Sequence, residues 1–102
     1  MIIYNTTYHV AEGNQLDFVN FMKEKFIPKA VESGLLTNPR LSRVFGKHED
    51  DGYSFALEFT ADNMAALEKW NDEHSRDVYA LLLKGFADKV SGFTTLMQVV
   101  RL

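Results

Sequence analysis

The sequence predicts an α+β chain of the ferredoxin-like kind, βαββαβ, with a four-stranded antiparallel sheet and helices on one face. Three features lead there. Residues 53 to 60 alternate Tyr53, Phe55, Leu57 and Phe59 with Ser54, Ala56, Glu58 and Thr60, the two-residue period of a half-buried strand. Residues 15 to 31 and 62 to 90 carry apolar side chains at helical spacing, and these intervals separate stretches rich in β-branched and aromatic residues. Ahead of residue 53 lies Glu49-Asp50-Asp51-Gly52, whose Asp-Gly pair suits the positive φ angles of a tight hairpin.

Composition narrows the class. The 102 residues are 46% apolar and 13% aromatic, with 11 basic and 14 acidic side chains, three His and no Cys. A single domain over residues 1 to 102, with one core, is expected. The absence of cysteine excludes disulfides, thiolate metal sites and cysteine nucleophiles. No apolar run approaches the roughly 18 residues that span a bilayer, and polar residues from Asn5 onward give no signal-peptide pattern, so a cytoplasmic location is expected. A net charge of -3 argues against a phosphate-binding surface.

Strand one is expected over residues 2 to 10, with Tyr4, Thr6, Tyr8 and Val10 at every second position. Helix one, residues 15 to 31, has the stripe Leu16, Val19, Met22, Phe26, Ile27 and Ala30 and a bend at Pro28, which cannot donate to the carbonyl of Glu24. Phe18 and Phe21 lie off that stripe and suit equally a broad core face or a second contact surface. Asn38-Pro39 marks a turn before strand two, residues 40 to 48, with Leu41, Arg43 and Phe45 on one face and Ser42 and Val44 on the other. A straight helix over residues 62 to 90 would run about 42 Å, against about 30 Å for a nine-residue strand. The apolar direction also shifts between Met64-Leu67-Trp70 and Val78-Tyr79-Leu82-Leu83-Phe86, so a break near Ser75 is expected. Residues 93 to 101 form the last strand.

The parity of the strands decides which face carries chemistry. Burying Glu58 unpaired beneath helices would cost several kcal/mol, so the aromatic parity goes under the helices and Asn5, Thr7, His9 and Glu58 share the open face. A His and a carboxylate on adjacent strands could act as a base and its orienting group, with Asn and Thr donating to a substrate oxygen. The same residues also suit a wet dimer interface. Arg43 is added to this lining as a charge for a ligand carboxylate, giving Asn5, Thr7, His9, Arg43 and Glu58 as candidate ligand-binding residues.

Other chemistries are weaker. Asp51-Gly52-Tyr53-Ser54-Phe55-Ala56 shares a Gly and two aromatics with an RNA-recognition strand, but Glu49, Asp50 and Asp51 stand where phosphate would approach. No nucleic-acid partner is expected. His48 reads as a solvated turn residue, and His74 as a core histidine at the helix break rather than a metal ligand with Glu73 and Asp77, because no paired-His spacing is present. Neither a metal nor a cofactor is expected.

A longer pattern runs over the chain: Tyr4-Asn5, Met22-Lys23, Ile27-Pro28, Gly34-Leu35-Leu36-Thr37-Asn38, Leu41 with Arg43 and Gly46, Glu73-His74, Phe86 with Asp88-Lys89-Val90, and Phe93 with Thr95-Leu96. It resembles an uncharacterised bacterial family of domains of unknown function within the dimeric α/β-barrel superfamily, departing from it at Phe26, where many members carry His. Ala56-Leu57-Glu58-Phe59 running on to Trp70 and Glu73-His74 is distantly similar to antibiotic-biosynthesis-type monooxygenases. The first resemblance implies a ferredoxin-like fold and a homodimer; the second implies an aromatic or quinol-like substrate between sheet and helices. Three functions are carried forward: a binding or sensing module for a small, partly aromatic molecule held in a cavity on the open sheet face, a cofactor-independent monooxygenase or isomerase using His9 or Glu58 as base, and a structural interaction domain without ligand.

Overall fold

Alternating burial along the first strand sets the architecture. In β1, Ile2–Ala11, the side chains of Ile2, Tyr4, Thr6, Tyr8 and Val10 are buried, while Ile3, Asn5, Thr7 and His9 are partly or fully exposed. The structure, a computed structural model, describes residues 1–46 and 52–102. After β1 come α1, Gln15–Phe21, a π-helical turn Met22–Phe26, and α2, Ile27–Ala30; then β2, Thr37–Val44, and β3, Gly52–Ala61. The second half holds α3, Met64–Glu73, α4, Ser75–Phe86, and β4, Val90–Gln98. The strands form one four-stranded antiparallel sheet in the order β2-β3-β1-β4, the expected ferredoxin-like α+β arrangement.

The aromatic parity lies under the helices. Phe55, Leu57 and Phe59 of β3 pack with Tyr4, Tyr8 and Val10 against Phe18, Met22, Phe26, Trp70, Val78 and Phe86. Phe18 is fully buried and touches the rings of Tyr8, Phe55 and Phe86, with centroids 5.4–5.7 Å apart, the spacing at which aromatic edges meet faces. The stripe of helix one is therefore Phe18, Met22, Phe26 and Ala30, and Leu16 is 70% exposed. An α-helical step of four residues overshoots a full turn by about 40°. The wider π turn, in which the Ile27 amide donates to the Met22 carbonyl, winds that stripe back toward the sheet. The break expected at Pro28 is thus a new start: Pro28 sits in the first turn of α2, where a missing amide costs no helical hydrogen bond. Phe21 packs edge-to-face on Phe86, 5.2 Å between centroids, so both phenylalanines belong to a broad core face.

Strand two differs from expectation. It begins at Thr37, and Asn38-Pro39 lies inside it as a register irregularity between Thr37 and Arg40, with Asn38 at φ 50°. Proline is tolerated because β2 is an edge strand. Glu49–Asp51 of the expected hairpin, and His48, lie outside the described residues. The last strand starts earlier than expected, at Val90, after a 3-10 turn Ala87–Lys89. Gly92 is required there, because a Cβ on it would stand 2.9 Å from Cδ1 of Tyr8.

The long helical interval breaks at His74, one residue from Ser75. Asn63 caps α3 by accepting from the Ala66 amide at 2.8 Å. The buried indole of Trp70 donates to the Ala30 carbonyl at 2.9 Å, tying α3 to the end of α2. Among the described residues no helix is long and apolar enough to cross a membrane. Trp70→Phe should cost about 1–3 kcal/mol in urea unfolding, since it leaves the Ala30 carbonyl buried without its donor.

Candidate functional site

The register places the sequence-predicted residues in rows across the open face. Val44, Ser54, His9 and Ser91 form one row, Ser42, Ala56, Thr7 and Phe93 the next, and Arg40, Glu58, Asn5 and Thr95 the one after. Asn5, Thr7, His9 and Glu58 therefore do share a face. The Asn5 amide nitrogen donates to Thr7 Oγ1 at 3.3 Å. Thr7 and His9 line a shallow pocket of about 160 Å³ with Ser54, Ser91, Gly92 and Phe93. Glu58 sits in a different row from His9 and is paired with Arg40, whose Nε and Nη2 lie 2.8 and 2.7 Å from its Oε1.

Arg43 does not join them. It stands across from Phe55 on the helix-side parity, with its guanidinium 4.5 Å from the Tyr53 ring centroid and 5.0 Å from that of Phe45, a cation–π arrangement. Arg40 takes the open-face place that the sequence reading gave to Arg43. Strand alternation leaves no other outcome, since Arg40 and Arg43 are an odd number of residues apart. Tyr4 and Phe55 are buried on the helix side with half-buried Tyr53, so these rings form no exposed stacking platform.

The larger cavity is on the other side of the sheet. A cleft of about 490 Å³ opens between α3 and the edge strand β4, lined by Tyr4, Met64, Leu67, Glu68, Asn71, Asp72, Thr94 and Leu96. It exists because the helices cover β1 and β3 but not β4, every residue of which from Ser91 to Gln98 is exposed. Helical spacing brings the α3 residues together: Met64, Glu68 and Asp72 are four apart, and Leu67 and Asn71 flank them. Leu96 stands directly across β1 from Tyr4, and Thr94 across from Thr6.

Behind the cleft runs a set of hydrogen-bonded hydroxyls on the helix side of the sheet. The Tyr4 and Tyr79 phenols hydrogen-bond each other, and Thr6 Oγ1 is 3.1 Å from Thr94 Oγ1. Burial pushes both the Tyr8 and the Tyr79 phenols above their ordinary range, and the neighbouring Tyr4 acts in the same direction. The Tyr4 ring also meets Trp70 edge-on at 5.7 Å. Sequence reading placed these residues in the core and passed over their hydroxyls. The available signal was Tyr4, Thr6 and Tyr8 in a row on the buried parity, three polar atoms that a purely apolar core would not carry.

His74 is half-buried at the helix break and lines a second cleft of about 310 Å³ with Lys29, Glu32, Ser33, Asp77 and Val78. Its amide donates to the Trp70 carbonyl at 2.8 Å and its carbonyl accepts from Val78 at 3.3 Å. Among the described residues no three His, Asp or Glu side chains gather as a metal site.

A βαββαβ chain with one covered sheet face, one open face and a cleft beside its edge strand is a ferredoxin-like α+β domain. The chain belongs to the family described as Domain of unknown function (DUF4286), whose model matches residues 1–100. No curated protein matches the sequence significantly. Among solved structures, an ethyl tert-butyl ether d (EthD) family protein from Bacillus halodurans is similar with a TM-score of 0.72 at 10% identity, covering 98% of this chain and 100% of that one. A candidate antibiotic biosynthesis monooxygenase from Deinococcus radiodurans has a TM-score of 0.70 at 14% identity, covering 100% and 95%. A dimeric ferredoxin-like protein from an uncultured marine organism has a TM-score of 0.65 at 14% identity, covering 99% and 96%. At these identities the likeness shows a common fold.

The phenols set an alkaline limit. Tyr8 and Tyr79 ionise less readily in the folded protein than in the unfolded chain, so the stability gained by keeping them neutral is full below about pH 10 and is lost as pH rises toward their folded values. Tyrosinate absorbance should show phenols that ionise only together with the loss of circular dichroism, and Tyr79→Phe should lower their number by one.

Proposed function

We propose that this chain is a cytoplasmic, homodimeric binding protein for a small, partly aromatic molecule, which it takes up in the cleft between α3 and β4. The observation that carries the reading is the cleft itself: about 490 Å³, within the range of small-molecule sites, with an apolar wall and a few convergent polar groups. Met64, Leu67 and Leu96 supply the wall, Tyr4 and Thr94 the floor, and Glu68, Asn71 and Asp72 the polar groups. Leu96 and Met64 are 49% and 42% exposed, and a bound apolar body would remove that surface from water.

The open face belongs in this reading to the partner copy. Phe93 and Met97 lie on it at 65% and 42% exposure, and Val44 adds a third apolar side chain at its far edge. Asn5, Thr7, His9 and the Arg40–Glu58 pair would form the polar part of the same seam. The solved structure named as dimeric supports self-association, and an isologous two-fold contact would cover the exposed sheet of both copies at once.

A second reading, an oxygenase or isomerase acting on the same molecule, is favoured by the Tyr4 phenol at the cleft floor and by the likeness to a candidate monooxygenase. His9 and Glu58, the bases expected from sequence, stand on the opposite face from this cleft, so the acid–base groups would come from its own lining, Tyr4, Glu68 and Asp72. Turnover lost in Tyr4→Phe and kept in His9→Ala and Glu58→Gln would favour that reading.

Two measurements test the primary one. The neutral dye Nile red should gain fluorescence on the wild-type protein and lose most of it in Leu96→Trp, which fills the cleft; an unchanged response in that variant would sink the cleft reading. Sedimentation should give a dimer for wild type and a monomer for Phe93→Asp, because a carboxylate buried in an apolar seam costs several kcal/mol.

A further inference from the structure

The charges around the α3–β4 cleft have one sign. Glu68 and Asp72 both line it, and among the described residues the lining holds no Lys, Arg or His. Among the described residues a carboxylate that meets a base binds it: Glu58 is held by Arg40 at 2.7 Å, and Glu32 by Lys29 at 3.1 Å. Glu68 and Asp72 have no ion-pair or hydrogen-bond partner among the described residues. They stand four apart on one face of α3, where like charges repel across a helical turn. Two unneutralised carboxylates facing one half-apolar cavity favour an occupant that brings the opposite charge.

Resting on the reading of this cleft as a binding site, we propose that its ligand is a small organic cation, an ammonium group on an apolar, ring-sized body. Glu68 and Asp72 take the ammonium at the α3 rim, with the Asn71 side-chain oxygen within the same helical turn as a further acceptor. The body lies on Met64, Leu67 and Leu96. A bare metal ion would leave that apolar wall unused, and a carboxylate or phosphate ligand would meet two like charges and no compensating base. The cleft does not depend on the ligand for its shape: Tyr4 is held by Tyr79 and Trp70, and Thr94 by Thr6, so the floor is built in advance and binding need not order it.

Three probes of nearly equal size separate the possibilities: 2-phenylethylammonium, neutral 2-phenylethanol and 3-phenylpropionate, each titrated at low ionic strength with backbone amide shifts of Leu67, Asn71, Thr94 and Leu96 as the readout. The ammonium should bind about tenfold more tightly than the alcohol, as a charge-assisted contact does over a neutral one, with the carboxylate weakest. The double variant Glu68→Gln with Asp72→Asn should bring the ammonium down to the affinity of the alcohol and leave the alcohol unchanged. Binding of the alcohol or the carboxylate as tight as that of the ammonium would overturn the cationic ligand while the cleft remains a binding site. An unchanged ammonium affinity in the double variant would overturn it as well. If no probe shifts these amides and Leu96→Trp leaves Nile red fluorescence intact, both the cation and the cleft reading fall.

Discussion

A hydroxyl carried into a core must find a partner there, and β1 carries such groups on its buried side. Tyr4 meets this requirement through Tyr79 of α4, and Thr6 through Thr94 of β4. The first contact holds α4 over the centre of the sheet, where its neighbours Val78 and Phe86 close on Phe18. The second binds the outer strand to the inner one by side chains as well as by its ladder. With α4 held over β1, α3 reaches the edge of the sheet without covering β4, and the space left over is the cleft. The arrangement of the helices and the position of the cavity are thus two results of one demand.

Much of the fold was legible because the strands state their parity plainly. Glu58 and Asn5 sit on one side of β3 and β1, and Phe55, Phe59, Tyr4 and Tyr8 on the other, so the face under the helices followed from the cost of burying a carboxylate. The break between α3 and α4 followed from a change in the direction of the apolar arc. Where the reading erred, geometry lay behind it. Arg43, expected as a charge in the open lining, falls on the other face by its own alternation with Ser42 and Val44; Arg40, the first residue of the expected strand, holds that place. Leu16 looked like core because a helix of constant pitch was assumed, and the π turn rotates the stripe onto Phe18 instead.

The candidate site was less legible than the fold. Its walls come from α3 and β4, which pair with neither each other nor adjacent sequence, and its floor from a strand at the opposite end of the chain. No spacing rule joins Glu68 to Thr94. What a sequence does record is the side of each element on which a residue falls, and the α3 positions Met64, Glu68 and Asp72 form such a side. Their mixture of apolar and acidic character, on the flank of a helix next to its buried face, marks a surface that neither core nor solvent fully claims.

The π turn between α1 and α2 has a bearing on how the length of this chain can vary. A turn with i to i+5 bonding holds one residue more than the α-helix needs to make the same advance, so it is a place where a residue has been accommodated without displacing what lies on either side. Pro28 would otherwise oppose the carbonyl of the preceding turn. Shortening the segment Met22–Phe26 by one residue would restore regular pitch only by turning Ala30 and the Trp70 anchor at its carbonyl through about 100°. The extra residue has therefore become part of the reading frame of the core, and the helix is held to a length that local regularity alone would not choose.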